Sequence, residues 1–240
     1  MSLRVLLINC LNAEHDTHAC ELTRSRFQTW LDTKDVCVWF GANAASFALE
    51  LKNIDLVIVS GSATKADDVN TPWVDSLISW LHRLLSMLEQ REDVRVLGIC
   101  FGSQVLATAC GGSCLRLLEP EVGGVSCKWG LPDEERSFRL VAAHGETVQI
   151  AKEGMRVLAE NKAGGIQGFV AARGKALGVT CHPEYGRLEG EVRANQRRER
   201  EEISDLQLSA ALESLALPLD GGLFAREVVL PWVKRKLLLE

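Results

Sequence analysis

Apolar residues in the first hundred positions follow two rhythms. Arg4–Cys10, Val36–Phe40, Asp55–Ser60 and Arg95–Cys100 are short, nearly continuous apolar runs rich in Val, Ile and Leu. A strand covered on both faces looks like this, because neither side of its pleat meets water. Between these runs the spacing lengthens to the helical period. One helical pattern runs from about Thr17 to Leu31. A second runs from about Pro72 to Gln90, with Trp73, Leu77, Trp80, Leu81, Leu84 and Leu88 on one side. Thr71 can cap that helix and Pro72 suits its first turn. The alternation predicts an α/β fold: a mainly parallel sheet in three layers, with helices on both faces.

The rhythm changes at Gly112. Ser113–Leu118, Gly124–Lys128, Phe138–Ala142, Gly165–Val170 and Ala176–Cys181 are strand-like runs broken by glycine. They predict hairpins packed at the edge of the same domain. From Glu189 the chain is helical and highly charged, and "EGEVRANQRREREE" reads as a solvated helix with mixed-sign pairs rather than a binding stripe. Leu206–Leu217 is apolar and Leu223–Leu239 amphipathic, the latter expected to pack on the body rather than to dock a partner. With no repeat and no Pro-, Gly- or Ser-rich linker, residues 1–240 are expected to form one domain. Its segment 188–240 is expected to be a helical C-terminal extension.

Composition narrows the class. The chain has 240 residues, 47% hydrophobic and 25% charged, which suits a globular protein with a buried core. A net charge of -5 argues against a nucleic-acid partner. The opening apolar run Val5–Ile8 is too short to span a membrane and lacks a cleavage pattern behind it, so it reads as a strand and no membrane role is expected. Eight cysteines without a secretory signal predict free thiols in the cytoplasm. Cys110 and Cys114 flank Gly-Gly, and His15, His18 and Cys20 lie close together. Neither group has a matching second half, so no metal site is expected.

The chemistry starts at "RVLGICFGSQ". Gly98-Ile99-Cys100-Phe101-Gly102 has the small-x-nucleophile-x-small form of a nucleophile elbow. The chain must turn sharply from strand into helix there, and crowding around the nucleophile leaves space for glycine. Cys100 then sits at the positive end of a helix starting near Ser103, and the Phe101 N–H can bind an oxyanion. A thiol nucleophile needs a base. Of five histidines, His182 ends the strand-like run "ALGVTC" and precedes Pro183, which keeps the backbone extended or turned. Residues two apart in extended backbone share a face, so Glu184 can reach the His182 ring and hold its tautomer.

"GICFGSQVLA" with "VTCHPEY" resembles the class I glutamine amidotransferases, whose triad is Cys-His-Glu. More narrowly the chain resembles the free-standing group similar to the amidotransferase domain of GMP synthase, which also includes plant γ-glutamyl peptidases. "LVIVSGSATKADDVNTPWVDSLISWL" is similar to that group's oxyanion loop and following helix, "HGETV" to its His-Gly-Asp-x-Val turn, and "ALESLALPLDGGLFAREVVLPWVK" to its helical tail. The chain departs from the pattern in "SGSA" where Gly-Gly-Pro is usual, in Glu146 for Asp, and in a loosely matching "EVGGVSCKWG".

The resemblance implies a flavodoxin-like amidotransferase fold and a triad of Cys100, His182 and Glu184. It implies an oxyanion hole from the N–H groups of Ser62 and Phe101, and substrate contacts at Gly61, Gln104 and His144. The implied activity is hydrolysis or transfer at the γ-glutamyl amide of glutamine or a γ-glutamyl compound through a thioester, with no cofactor. No Gly-x-x-x-x-Gly-Lys-Ser/Thr phosphate loop is present, and 56 residues follow Glu184, so no synthetase domain is expected in the chain. Two alternatives stay open: an ammonia-donating glutaminase serving a partner synthetase, and a silent interaction protein on the same fold.

Overall fold

The computed structural model of the protein describes residues 3–11, 17–47, 51, 53–66, 71–88, 94–131, 134–151, 153–162, 165–235 and 237. Its first half alternates as the hydrophobic pattern requires. β1 (Arg4–Asn9), α1 (Thr17–Leu31) and β2 (Asp35–Phe40) are followed by β3 (Leu56–Val59), α2 (Pro72–Leu88), β4 (Arg95–Ile99) and α3 (Phe101–Ala109). The predicted end of α2 near Gln90 and the histidine His15 lie outside the described residues.

Strand residues alternate between two cores. Leu6, Ile8, Val57, Val59 and Val96 pack with α2 and α3 through Leu77, Trp80, Leu84, Val105 and Leu106. Val5, Leu7, Leu56, Ile58, Leu97 and Ile99 pack with α1 through Phe27 and Leu31. Both faces of the pleat are covered, which is why these strands lack a polar side.

The second half builds β5 (Ser113–Gly130), β6 (Glu135–Gln149), β7 (Met155–Glu160), β8 (Ile166–Ala171) and β9 (Ala176–Val179). Among the described residues, nine strands form one sheet in the order β2-β1-β3-β4-β9-β8-β7-β5-β6. It is parallel from β2 to β9 and antiparallel from β9 to β6. The expected edge hairpins are the antiparallel half, with three differences. The short runs from Ser113 and around Phe138 belong to two long strands whose register shifts between Arg116 and Glu121. β7, with Arg156 and Glu160 among its apolar residues, gave no sequence signal. β9 is not at an edge: it pairs with β4 in the middle of the sheet, with Leu177 opposite Leu97 and Gly178 opposite Gly98.

The C-terminal segment is helical, as expected. α4 (Arg187–Glu199) and α5 (Asp205–Leu215) precede α6 (Gly221–Phe224), a π-helical turn (Ala225–Val229) and α7 (Leu230–Val233). Phe224, Val228, Val229, Trp232 and Val233 join the α1-side core, so this segment covers the body. Among the described residues no cysteine is in a disulfide. No helix among the described residues is long and apolar enough to cross a membrane.

Candidate active site

Three neighbouring parallel strands, β3, β4 and β9, release the chain at one edge. Ligands bind outside the carboxyl ends of such strands. Gly61 and Ser62 follow β3, Cys100 follows β4, and His182 follows β9 after Thr180 and Cys181.

Cys100 occupies φ 51°, ψ −111°, a conformation that side chains rarely adopt. Its N–H donates to the Val179 carbonyl at 2.8 Å, and its own carbonyl accepts from the Ser103 hydroxyl at 2.7 Å. The two flanking glycines are sterically obligatory. A Cβ on Gly98 would lie 2.4 Å from the Gly102 carbonyl oxygen, and one on Gly102 would lie 2.0 Å from the Val59 carbonyl oxygen. α3 starts at Phe101, two residues earlier than expected, and the Phe101 N–H has no intrahelical acceptor at that position.

The His182 N–H is bonded to the Val141 carbonyl of β6 at 2.7 Å, and the ring Nδ1 lies 2.8 Å from Glu184 Oε1. Pro183 separates the two in sequence, and the two-residue spacing brings carboxylate and ring together as predicted. Glu184 is 2% exposed, and among the described residues its Oε2 has no hydrogen-bond partner, so the ring is the contact of this carboxylate. Gly61 holds the other side of the ring. A Cβ there would meet His182 Cε1 at 2.7 Å and Cys100 Cβ at 3.7 Å. Burial opposes a charged imidazole, yet the Cys100 sulfur, Glu184 and Tyr185 together push the His182 pKa well above the ordinary histidine range.

Two hollows meet at Cys100. The larger, about 490 Å³, takes in Ser62, Gln104, Arg116, His144 and Glu146. The smaller, about 80 Å³, takes in Gly61, Ser62, His182, Tyr185, Arg193 and Gln196. Gln104 and His144 thus line one side of the sulfur and Gly61 the other. The His144 ring is committed to the protein. Nδ1 lies 2.9 Å from the Glu146 carbonyl, and Nε2 lies 3.0 Å from Glu121 Oε2 in an electrostatic contact poorly aligned for hydrogen bonding. Glu121 also accepts from the Asn161 and Gln167 amides, and Gln167 Oε1 accepts from the Cys181 thiol at 3.1 Å. Burial raises the Glu121 pKa, but His144, Asn161 and Gln167 outweigh it and hold the carboxyl below its usual range.

Sequence reasoning missed this buried polar chain, because Glu121, Asn161 and Gln167 come from separate segments without a spacing rule. It read α4 as a solvated helix with mixed-sign pairs, and the pairs Arg187–Glu191, Arg197–Glu202 and Arg198–Asp205 are present. One face is solvated, with the Arg187–Glu191 pair. The other places Arg193, Gln196 and Arg197, with Arg200 at the C-cap, against the small hollow. Those positions are i, i+3, i+4 and i+7, one helical stripe, so the spacing was available; the adjacent Glu residues masked it.

Residues 31–194 match the family model for glutamine amidotransferase class-I. A glutamine-hydrolysing GMP synthase component from Sulfurisphaera tokodaii, one of that enzyme's separate subunits, is 28% identical over 165 residues, covering 63% of this chain and 81% of that one. A glutamine-hydrolysing GMP synthase of Corynebacterium diphtheriae is 26% identical over 140 residues, covering 57% of this chain and 25% of that one. The chain therefore spans a quarter of the length of that larger relative. A solved glutamine amidotransferase from Thermotoga maritima shares the fold at a TM-score of 0.69, with 19% identity and 98% of each chain covered.

Proposed function

The chain belongs to the class-I glutamine amidotransferases, and we propose that it cleaves the γ-glutamyl amide of glutamine or a γ-glutamyl compound through a thioester on Cys100. The observation that carries this reading is the contact of His182 Nδ1 with Glu184 Oε1 on a hollow that Cys100 also lines, at the ends of adjacent strands. The Cys100 thiolate attacks the γ-carbonyl carbon. The N–H groups of Ser62 and Phe101 take the oxyanion, each worth about 2.7–4 kcal/mol in such sites. His182 gives its proton to the leaving nitrogen as the C–N bond breaks. Water then attacks the thioester, His182 accepts its proton, and glutamate leaves as the thiolate is restored. Glu184 keeps the ring oriented. Gln104 reads the amino-acid end of the substrate. Cysteines outside any disulfide suit a reducing compartment such as the cytoplasm.

His182 protonates the amine, so the amine departs through the small hollow beside it. There α4 contributes Arg193 and Arg197, the latter paired with Glu202, and Arg200 follows at the C-cap of the helix. This stripe favours an amine portion that carries a carboxylate, as in a γ-glutamyl peptide. A second reading, donation of ammonia to a separate synthetase, is supported by the likeness to a GMP synthase component that is a chain of its own.

The test is amine release by the purified chain from glutamine and a series of γ-glutamyl amides. The chain alone is expected to turn over at roughly 1 per second or faster on its preferred amide, and Cys100→Ala to release nothing. Arg200→Gln is expected to lower kcat/KM about tenfold more for carboxylate-bearing amines than for glutamine, equivalent to about 1.4 kcal/mol. A chain inert on every amide until a synthetase from the same cell is added replaces the first reading with the second.

A further inference from the structure

Tyr185 has no part in the proposed chemistry, yet it is as deeply placed as the groups that do. It is 5% exposed, as is His182. The two rings are stacked face to face, with centroids 4.2 Å apart and planes 1° from parallel. His182 is thereby held by Glu184 at its Nδ1 edge, by the Val141 carbonyl at its backbone and by Tyr185 across its face. Tyr185 is itself held by α4. Arg193 Nη2 donates to the phenol oxygen at 3.4 Å, its guanidinium carbon lies 5.7 Å from the ring centroid, and Nη1 donates to Gln196 at 2.9 Å.

We propose that Tyr185 is a positioning residue that stabilises the protonated His182 ring through its π face and keeps that ring aimed at Cys100. The inference rests on the Cys100–His182–Glu184 reading above. A cation over an aromatic face is attracted by the ring quadrupole, most strongly where water is excluded. Here the face belongs to a neutral phenol, because burial raises the Tyr185 pKa and the nearby charges do not reverse it. Among the described residues, the other charged or titratable groups facing His182 are Cys100 and Glu184, with Arg193, Arg197 and Arg200 across the small hollow. Losing the face makes the ring surrender its proton at lower pH. The protonated ring is needed to deliver a proton to the leaving amine, so the alkaline limb of kcat moves down.

The experiment keeps shape while draining the π face. Tyr185→Phe is the reference, and position 185 then carries phenylalanine analogues with increasing ring fluorination; Tyr185→Leu removes the face. The alkaline limb of kcat is expected to fall stepwise with fluorination and by about one pH unit in Tyr185→Leu, with KM changing less than kcat. The fluorinated variants keep the ring volume, so the series can be read even where Tyr185→Leu does not fold. An alkaline limb that stays fixed across the fluorinated series overturns the inference while a dead Cys100→Ala leaves the triad intact. An active Cys100→Ala overturns both.

Discussion

Cys100 is held at φ 51° by backbone packed too tightly on either side to relax. Strain of this kind costs about 1–3 kcal/mol and persists where the surroundings over-determine it. Cys100→Gly is therefore expected to be about 1–3 kcal/mol more stable than Cys100→Ala in urea denaturation, both being inactive. Gly102→Ala pushes a methyl into the Val59 carbonyl and is expected to cost about 1–3 kcal/mol or more. At the base, His182→Ala is expected to lower kcat by orders of magnitude. Glu184→Gln should lower it less, because the ring stays and loses its orienting charge. Equal losses in single-turnover assays would contradict the division of labour.

At the scale of elements, the cleft floor depends on β5, β6, the stretch before β8, and β8 itself being tied together through Glu121. The carboxylate joins His144, Asn161 and Gln167, each of which lies far from Glu121 in the chain. Glu121→Gln is expected to cost about 1.5–3 kcal/mol at neutral pH, the range for hydrogen bonds to a charged group. The folded-state pKa of Glu121 is depressed below the usual 4.5. Its contribution is complete above that usual value and is lost as pH falls through the lower folded-state value. The difference in melting temperature between the wild-type chain and Glu121→Gln should therefore shrink as pH drops below about 4.5. A gap that stays constant to lower pH would mean that the carboxylate's charge is not what holds the strands.

Over the whole molecule, the C-terminal segment closes the α1-side core. Trp232 is 1% exposed and its indole N–H donates to the Gly174 carbonyl at 2.6 Å, while Phe224 packs on Trp129 and Phe138 at 4.7 and 5.4 Å. Trp232→Ala is expected to cost about 3–5 kcal/mol. Residues 1–240 are expected to unfold in one cooperative transition, which coincident loss of tryptophan fluorescence and far-ultraviolet circular dichroism would check. Two separated transitions would make the segment an independent unit.

The strands and helices of the first half were legible because their burial is written locally: a run apolar on both faces has few alternatives, and a 3.6 period names its own structure. The elbow was legible for the same reason, since glycine at 98 and 102 and cysteine at 100 are needed within one turn of chain. So was His182 with Glu184, a two-residue relation. Tertiary structure alone decided the rest. β9 slots beside β4 rather than at the edge, which brings His182 to Cys100. Glu121, Asn161 and Gln167 meet under the cleft, Tyr185 stacks on His182, and α4 turns its arginines to the small hollow. Each of these depends on which strand neighbours which across many residues of chain. Periodicity encodes which face of an element is buried, and it carries no term for what that face is buried against.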